Sequence, residues 1–512
     1  MSRVDRVARN TKVGLISQIA IILSNFIVRK VFVTMLGEEY LGLGGLFTDI
    51  LSMLSLAEMG FGSAIVFSLY KPLAQNDHEK IKSLMDLYKK AYYVIGAFVL
   101  IAGAALTPFL DFFVKEMPEH IEHIGLIYLL NVLNAGASYF FIYKASLLFA
   151  DEKKYVEMMI SVRAKLICAA GQVLVLWLTH NYFLYMGVMV AATIMQNVMI
   201  SVQVDRMYPY LKEKHLQPLP AEDTAVIRRN VGAMVFHKIG SVAVFGTDSI
   251  LLAKFVSVAV VGLYSNYTLI RKALLNVIDM LYVSIAASMG NLNASETDDK
   301  KYEAYQHIHF FSAWLFGFVC VCLLGLYNPF IELWLGRAYL LPFSTVFLIV
   351  VNFYMSCMRI PVSKTKEAMG LFWNDRYKPI FEVAINLVVS IVLAGPMGIN
   401  GIFIGTLVST LTVPFIVEPY VLYRHGLKRS VLLYYRDYML YLTVTAAAAA
   451  ATLWLCSLTG AGLLSFVVKM AICSVVPNLV YLLAYHRTED FHYLLSVARR
   501  LAGRFLKKLG AK

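Results

Sequence analysis

The chain has 512 residues, of which 59% are hydrophobic and only 15% are charged, and its formal net charge is +13. A soluble protein of this length needs far more polar surface, so the composition excludes that class and indicates a polytopic membrane protein. The basic excess does not indicate nucleic-acid binding, because the Lys and Arg residues lie mostly in short loops between apolar runs.

Fourteen apolar runs are long enough to cross a bilayer, which takes about 20 residues per helix. The first lacks a cleavage site and is predicted to be a spanning helix rather than a signal peptide. The predicted fold is an all-α polytopic membrane protein with 14 transmembrane helices. In chain order the runs are 12–36, 41–70, 91–114, 122–149, 157–179, 182–204, 231–254, 258–290, 306–327, 341–362, 378–396, 399–422, 437–458 and 463–485.

The loops between these runs alternate in charge. One set holds most of the Lys and Arg residues, whereas the other carries little beyond Lys115, Lys254 and Arg337. The positive-inside rule therefore predicts that both termini are cytoplasmic.

The polar loop 205–230 divides the chain, and a weak internal repeat supports the division. LGLGGLFTDI (41–50) aligns without a gap with VGLYSNYTLI (261–270), which pairs Gly42 with Gly262. Both halves begin on the same side, so the repeat is parallel, and such repeats place a substrate cavity between their halves. The predicted parts are two six-helix bundles with a linker between them, a further helix pair and a basic amphipathic tail: 1–204, 205–230, 231–422, 423–485 and 486–512.

Polar side chains inside a spanning helix are costly unless they face a bundle interior or a wet cavity, so each is a candidate functional residue. The first helix carries Gln18, Asn25 and Arg29 on one face, with Lys30 beside them. Snorkelling of Arg29 to the outer surface is the structural alternative. The later candidates are His237 and Asp248 on the seventh helix, Arg271, Lys272, Asn276 and Asp279 on the eighth, and Arg359 on the tenth.

Two acids, Asp49 and Glu58, lie in the second run. On a straight helix they face opposite ways, so they share a cavity only if the helix bends, which Gly60 and Gly62 favour. With Asp248 and Asp279 they are the candidates for carrying a coupling ion, H⁺ or Na⁺. A fixed ion pair is the alternative for Glu58, and one between Lys272 and Asp279 is the alternative on the eighth helix.

Several motif classes are missing from the sequence. It has no Walker loop, no metal-ligand cluster and no outer loop long enough for a catalytic site. A membrane-embedded polymerase or ligase needs such a loop, so the sequence favours a transporter without catalytic residues or a bound cofactor.

Four stretches carry a resemblance to the multidrug/oligosaccharidyl-lipid/polysaccharide (MOP) exporter superfamily, and within it to the polysaccharide repeat-unit flippases. They are NFIVRKVFVTMLGEEYLGLGGLF (25–47), LAEMGFGSAI (56–65), FGTDSILLAKFVSVAVVGLYSNYTLI (245–270) and RK (271–272).

The resemblance implies flipping of a polyprenyl-diphosphate-linked oligosaccharide from the cytoplasmic to the outer leaflet by alternating access. It implies a location in the bacterial plasma membrane and a cationic cavity around Arg29, Lys30, Arg271 and Lys272. A sugar also needs hydroxyl, amide and aromatic partners, and the candidates along the eighth helix are Tyr264, Asn266, Tyr267, Asn276 and Tyr282. The lipid tail would lie against the last two helices, where TAAAAAAT (445–452) predicts either a groove or close packing. A polysaccharide polymerase and chain-length machinery are open as partners, beside membrane lipids.

Two alternatives within the superfamily stay open. A lipid II flippase would share the mechanism and differ in the headgroup. A cation-coupled multidrug exporter usually has twelve helices and an acidic first-half cavity, which Arg29 and Lys30 argue against and the two acids of the second run keep open.

Overall fold

The computed structural model describes residues 3–55, 61–213, 218–220, 247–371 and 374–509. Helices account for nearly all of this part of the chain. Glu58, Gly60, His237 and most of the predicted linker 205–230 lie outside the described residues, so their predicted roles are not addressed by the structure.

The chain divides into two compact units, Met1–Ser265 and Asn266–Lys512, with the boundary in the early turns of one long helix, α11. The helices that begin in the first unit are α1 (Arg3–Leu36), α2 (Glu38–Leu54), α3 (Phe61–Gln75), α4 (His78–Ala105), α5 (Leu110–Phe113), α6 (Ile124–Ile142), α7 (Ala145–Ala150), α8 (Lys154–Thr179), α9 (Tyr182–Met207), α10 (Thr247–Phe255) and α11 (Val258–Ser295).

The second unit continues with α12 (Asp298–Trp334), α13 (Phe343–Ala368), α14 (Lys378–Met397), α15 (Ile399–Thr412), α16 (Pro414–Val421), a π-helical turn (Leu422–Leu427), α17 (Val431–Ser457), α18 (Leu463–Tyr485) and α19 (Glu489–Leu509). The domain limits predicted from the sequence stay predictions.

Eleven helical segments in the described part of the chain are long and apolar enough to cross a membrane. They coincide with eleven of the predicted runs, which confirms the all-helical polytopic fold. The other three runs, 41–70, 231–254 and 258–290, correspond to α2 with α3, α10 and α11. The total of 14 spans therefore stays a prediction.

Exposed apolar side chains mark the surface that lipid would cover. On α1, Ile16, Ile19, Leu23 and Ile27 follow one helical face, and each is about 60% exposed. A stripe of this kind is unusual on a soluble protein and is the lowest-energy surface against hydrocarbon.

The glycines that the repeat aligns bring α2 and α11 into backbone contact. A Cβ on Gly42 would lie 2.0 Å from the carbonyl oxygen of Val258, and a Cβ on Gly262 would lie 2.0 Å from the carbonyl oxygen of Glu38. Glu38 and Val258 are themselves equivalent in the repeat register. The first turns of α2 and α11 therefore cross with each glycine against a backbone carbonyl oxygen of the other helix. Only a residue without a Cβ permits this contact.

The alanine-rich stretch of α17 packs closely rather than forming a groove on its buried face. Thr445, Ala448 and Thr452 are buried along that face. A Cβ on Gly317 of α12 would lie 2.2 Å from the hydroxyl oxygen of Tyr481 and 2.7 Å from Oγ1 of Thr445, and the Tyr481 hydroxyl donates to that Oγ1 at 3.1 Å. Small residues thus let α12, α17 and α18 approach closely.

The basic tail forms a helix, α19, whose first turns dock on α12. His307 Nδ1 lies 2.6 Å from Asp490 Oδ1, and the His307 ring stacks on Tyr493 with 3.8 Å between ring centroids. Phe491 stacks on Trp314 at 5.9 Å. The start of the amphipathic tail is therefore fixed to the second unit.

We expect Gly42→Ala and Gly262→Ala to lower the melting temperature of the detergent-solubilised protein, because an added methyl group must push a backbone oxygen aside. Overpacking of this kind costs about 1–3 kcal/mol. Gly44→Ala and Gly45→Ala are matched controls, since their nearest neighbours lie at 3.7 and 3.5 Å and each replacement gains helix propensity. Equal melting temperatures for all four variants would contradict the glycine crossing.

Candidate functional site

Arg29 lies inside the α1 span, and its guanidinium is turned toward α11. Its Nη1 donates a hydrogen bond to Ser265 Oγ at 2.7 Å, and Ser265 Oγ donates to the carbonyl oxygen of Gly262 at 2.8 Å. The side chain is partly buried. The contact favours an inward-facing cation over one that snorkels to the outer surface.

A cluster of aromatic side chains lies beside Arg29. Tyr185 lies near Arg29, and its ring packs edge-on against Phe32 with 5.0 Å between ring centroids. Tyr182 stacks on Tyr185 at 5.9 Å and lies 4.9 Å from Tyr40. Arg29 therefore sits beside an aromatic cluster that combines flat apolar faces with hydroxyl groups.

The other predicted residues of the first unit are distributed over three helices. On α1, Gln18 is partly buried while Asn25 and Lys30 are exposed. Asp49 is partly buried on α2, and Asp248 is buried on α10. Glu58 and His237, on the predicted second and seventh spans, are outside the described residues.

The candidates on α11 belong to the second unit. Arg271 is partly buried, whereas Lys272, Asn276 and Asp279 are exposed. Cys357 of α13 lies near both Arg271 and Asp279, so these two charged residues approach the same helix.

Two of the tyrosines expected to face a sugar are packing residues instead. Tyr267 and Tyr282 are fully buried. The Tyr267 hydroxyl donates to Asn328 Oδ1 at 2.6 Å and accepts from the backbone N–H of Leu341, and the Tyr282 hydroxyl is hydrogen-bonded to Ser312. Their polar atoms are satisfied inside the second unit, which removes them from the set of sugar-binding candidates.

Arg359 is placed differently from the prediction, because it is the centre of an internal ion pair. Its Nη1 donates to Glu382 Oε1 at 2.9 Å, while Nη2 and Nε donate to the two carboxylate oxygens of Glu418 at 3.0 and 3.3 Å. The Glu418 side chain is only 1% exposed. Two carboxylates balance the guanidinium, which corrects its assignment as a substrate-facing cation.

The ion pair extends into a buried network at the ends of α13, α14 and α16. Lys378 also bonds Glu418, and Ser363 donates to Glu418 Oε2 at 3.2 Å. Lys366 pairs with Asp375, which lies 3.6 Å from Lys378. Three cations thus face three carboxylates, the arrangement that makes buried charge tolerable.

Glu382 and Glu418 were missed by the sequence analysis, although both lie in predicted spans. The rule that singled out Arg359, a charge inside an apolar run, also points to them. In the described part of the chain, the His, Cys, Asp and Glu residues form no group able to hold a metal ion.

Comparisons with solved structures identify the fold. An inward closed conformation of the lipid II flippase MurJ matches with a TM-score of 0.65 and 14% identity, over 93% of this chain and 98% of that protein. An inward-facing multidrug resistance MATE family transporter of the MOP superfamily matches with a TM-score of 0.62 and 15% identity, over 81% of this chain and 98% of that one.

The chain has the fold of these MOP transporters. A further MOP superfamily transporter, from Pyrococcus furiosus, matches with a TM-score of 0.55 and 15% identity, over 83% of this chain and 96% of its own. No family model and no curated protein matches the sequence. At these identities the likeness establishes the architecture and leaves the substrate to the residues.

We expect Glu418→Gln to destabilise the protein strongly, because it leaves Arg359 and Lys378 buried without their shared carboxylate. Breaking one partner of a buried pair costs about 3–5 kcal/mol. The control is Glu367→Gln, whose partner Lys364 lies 2.9 Å away in an exposed pair of the kind worth about 0–1 kcal/mol. Denaturation in detergent micelles measures both, and similar losses would show that the network is not stabilising.

Proposed function

We propose that the chain flips a polyprenyl-diphosphate-linked oligosaccharide repeat unit from the cytoplasmic to the outer leaflet by alternating access, for cell-surface polysaccharide biosynthesis. The observation that carries the proposal is Arg29, a cation in a membrane span held by Ser265 beside Tyr185. A diphosphate leaves water readily only where Arg or Lys donors replace its hydration. Tyrosine hydroxyls can in turn exchange hydrogen bonds with sugar hydroxyls.

Arg271 and Lys272 are the second cationic element of the proposal. They lie next to each other on α11, the helix that also provides the Ser265 acceptor for Arg29. Lys30, Gln18 and Asn25 on α1 and Asn276 on α11 are the remaining candidate residues of the proposal. Arg359 is left out because Glu382 and Glu418 balance its charge.

A lipid II flippase is the second candidate. One observation favours it: the match to MurJ spans 93% of this chain, whereas the match to the MATE transporter spans 81%. Its substrate would use the same diphosphate chemistry with a different headgroup. If no lipid-linked diphosphate binds, the alternative function to test is cation-coupled multidrug export.

The setting of this transport is also proposed. Both termini face the cytoplasm of a bacterial cell, and H⁺ or Na⁺ binding at Asp49, Glu58, Asp248 or Asp279 supplies coupling. A polymerase and chain-length machinery would receive the flipped unit. Labelling of a single cysteine introduced at either terminus of the chain, carried out in intact cells, tests the orientation.

We expect native mass spectrometry of the purified protein to detect a bound polyprenyl-diphosphate oligosaccharide. The Arg29→Ala variant and the Arg271→Ala/Lys272→Ala variant should each retain at least tenfold less, since a charge-assisted hydrogen bond contributes about 1.5–3 kcal/mol. The matched control is Lys89→Ala/Lys90→Ala, an adjacent exposed pair on α4.

The control should retain the ligand at the wild-type level. Equal occupancy in all variants would remove the three cations from the mechanism. Ordinary phospholipid alone in every sample would instead overturn the flippase proposal and leave export of small amphiphiles to be tested.

Alternating access predicts that α2 and α11 separate near their glycine crossing during transport. The ideal Cβ of Gly45 lies 3.5 Å from Cγ1 of Val261, so Gly45→Cys/Val261→Cys places two thiols within reach of a disulfide. We expect oxidation of this variant to stop flipping in reconstituted vesicles and reduction to restore it. The two single-cysteine variants are controls for the native cysteines, and full transport by the cross-linked protein would contradict the separation.

A further inference from the structure

A basic cleft lies where the chain passes from the π-helical turn into α17. It has a volume of about 810 Å³, and its lining contains three permanent cations and a histidine but no acid: Arg424, His425, Lys428, Arg429, Ser430 and Leu433. All of these residues belong to the second unit. The cleft is separate from the residues proposed to bind the transported substrate.

The backbone that forms this cleft is unusual. Leu422–Leu427 is a π-helical turn, and Lys428 directly after it has a φ of +52°. Both features are energetically unfavourable, and π turns are rare and concentrate at functional sites.

Neighbouring rings and carboxylates hold the cations in place. The Arg429 guanidinium lies over the Tyr302 ring, 5.6 Å from its centroid, and pairs with Asp299. Arg424 lies 5.9 Å from the Tyr420 ring centroid.

Lys428 is held from the start of α12. Its Nζ lies 2.8 Å from Asp298 Oδ2, and this hydrogen bond raises the pKa of Lys428. The lysine therefore stays charged at neutral pH. Ion pairs at exposed positions are weak, so a stronger anion can exchange for the carboxylates.

The position of the cleft indicates where its ligand comes from. Two candidate spans, Ile399–Leu427 and Val431–Ser457, leave only residues 428–430 between them. The cleft is therefore at the membrane surface, on the side where the loop charges place the cytoplasm and where anionic lipids accumulate. Tyr423 and Tyr434, which adjoin the lining residues Arg424 and Leu433 in the chain, are buried with their ring centroids 6.0 Å apart.

We propose that this cleft binds the phosphate group of an anionic membrane lipid. Arginine forks match the paired oxygens of a phosphate, and Lys428 adds a third donor group. The α17 N-terminus at Ser430 contributes a partial positive charge on the same side. The acyl chains extend into the bilayer alongside the two spans, so the protein holds the headgroup while the membrane holds the tails.

The test is native mass spectrometry of the full-length protein titrated with phosphatidylglycerol, with phosphatidylcholine as the zwitterionic reference, whose phosphate is balanced by its own choline ammonium. We expect phosphatidylglycerol to bind the wild type preferentially and the Arg424→Gln/Arg429→Gln variant about tenfold more weakly, because two forked donors are lost. The control Lys89→Gln/Lys90→Gln removes the same charge from an exposed site on α4 and should bind like the wild type.

Two further measurements separate the sources of phosphate and the effects on folding. Inorganic phosphate added in excess should leave lipid binding unchanged, and displacement would reassign the cleft to a soluble phosphate compound. Asp299→Asn should strengthen lipid binding, because it releases Arg429 without removing a donor. Equal losses in the cleft variant and the control, or a lowered melting temperature that accounts for the cleft variant's loss, would overturn the proposal.

Discussion

The backbone contact between α2 and α11 is the constraint on which the candidate site depends. Two glycines seat each first turn against a carbonyl oxygen of the other helix. The carbonyl oxygen of Gly262 then accepts the hydrogen bond from Ser265, which accepts the hydrogen bond from Arg29. If α2 and α11 were held further apart, Ser265 would move relative to α1. The position of the Arg29 guanidinium therefore depends on Gly42 and Gly262 having no side chain.

Two partly buried arginines in spanning helices differ in the partners that the structure shows. Arg359 is neutralised by Glu382 and Glu418, and the surrounding lysines complete a balanced network. Arg29 donates to the hydroxyl of Ser265 and lies near Tyr185. A balanced network stabilises one arrangement of helices.

The parts predictable from the sequence are those set by local patterns. Apolar runs identify the spanning helices because length and hydropathy act within one segment. The repeat alignment found Gly42 and Gly262 because glycines at the same register position meet equivalent backbones. Arg359, Glu382 and Glu418 meet only through tertiary packing. The sequence therefore shows that each is a charge inside an apolar run, but it does not show that they pair. The burial of Tyr267 and the π-helical turn are likewise products of packing.

The helix pair α17 and α18 limits where a lipid tail can lie. Gly317 of α12 is closed off by the Tyr481 hydroxyl and Thr445, so the small-residue face of α17 has no room left for an acyl chain. The opposite side of the pair is apolar and open, with Leu464 of α18 80% exposed and Leu483 74% exposed. A polyprenyl chain attached to a substrate is fluid and needs only hydrocarbon around it. In the proposed flippase, substrate specificity therefore lies in the cationic and aromatic residues around Arg29. Helices α17 and α18 would contact the lipid tail only through their outer surface.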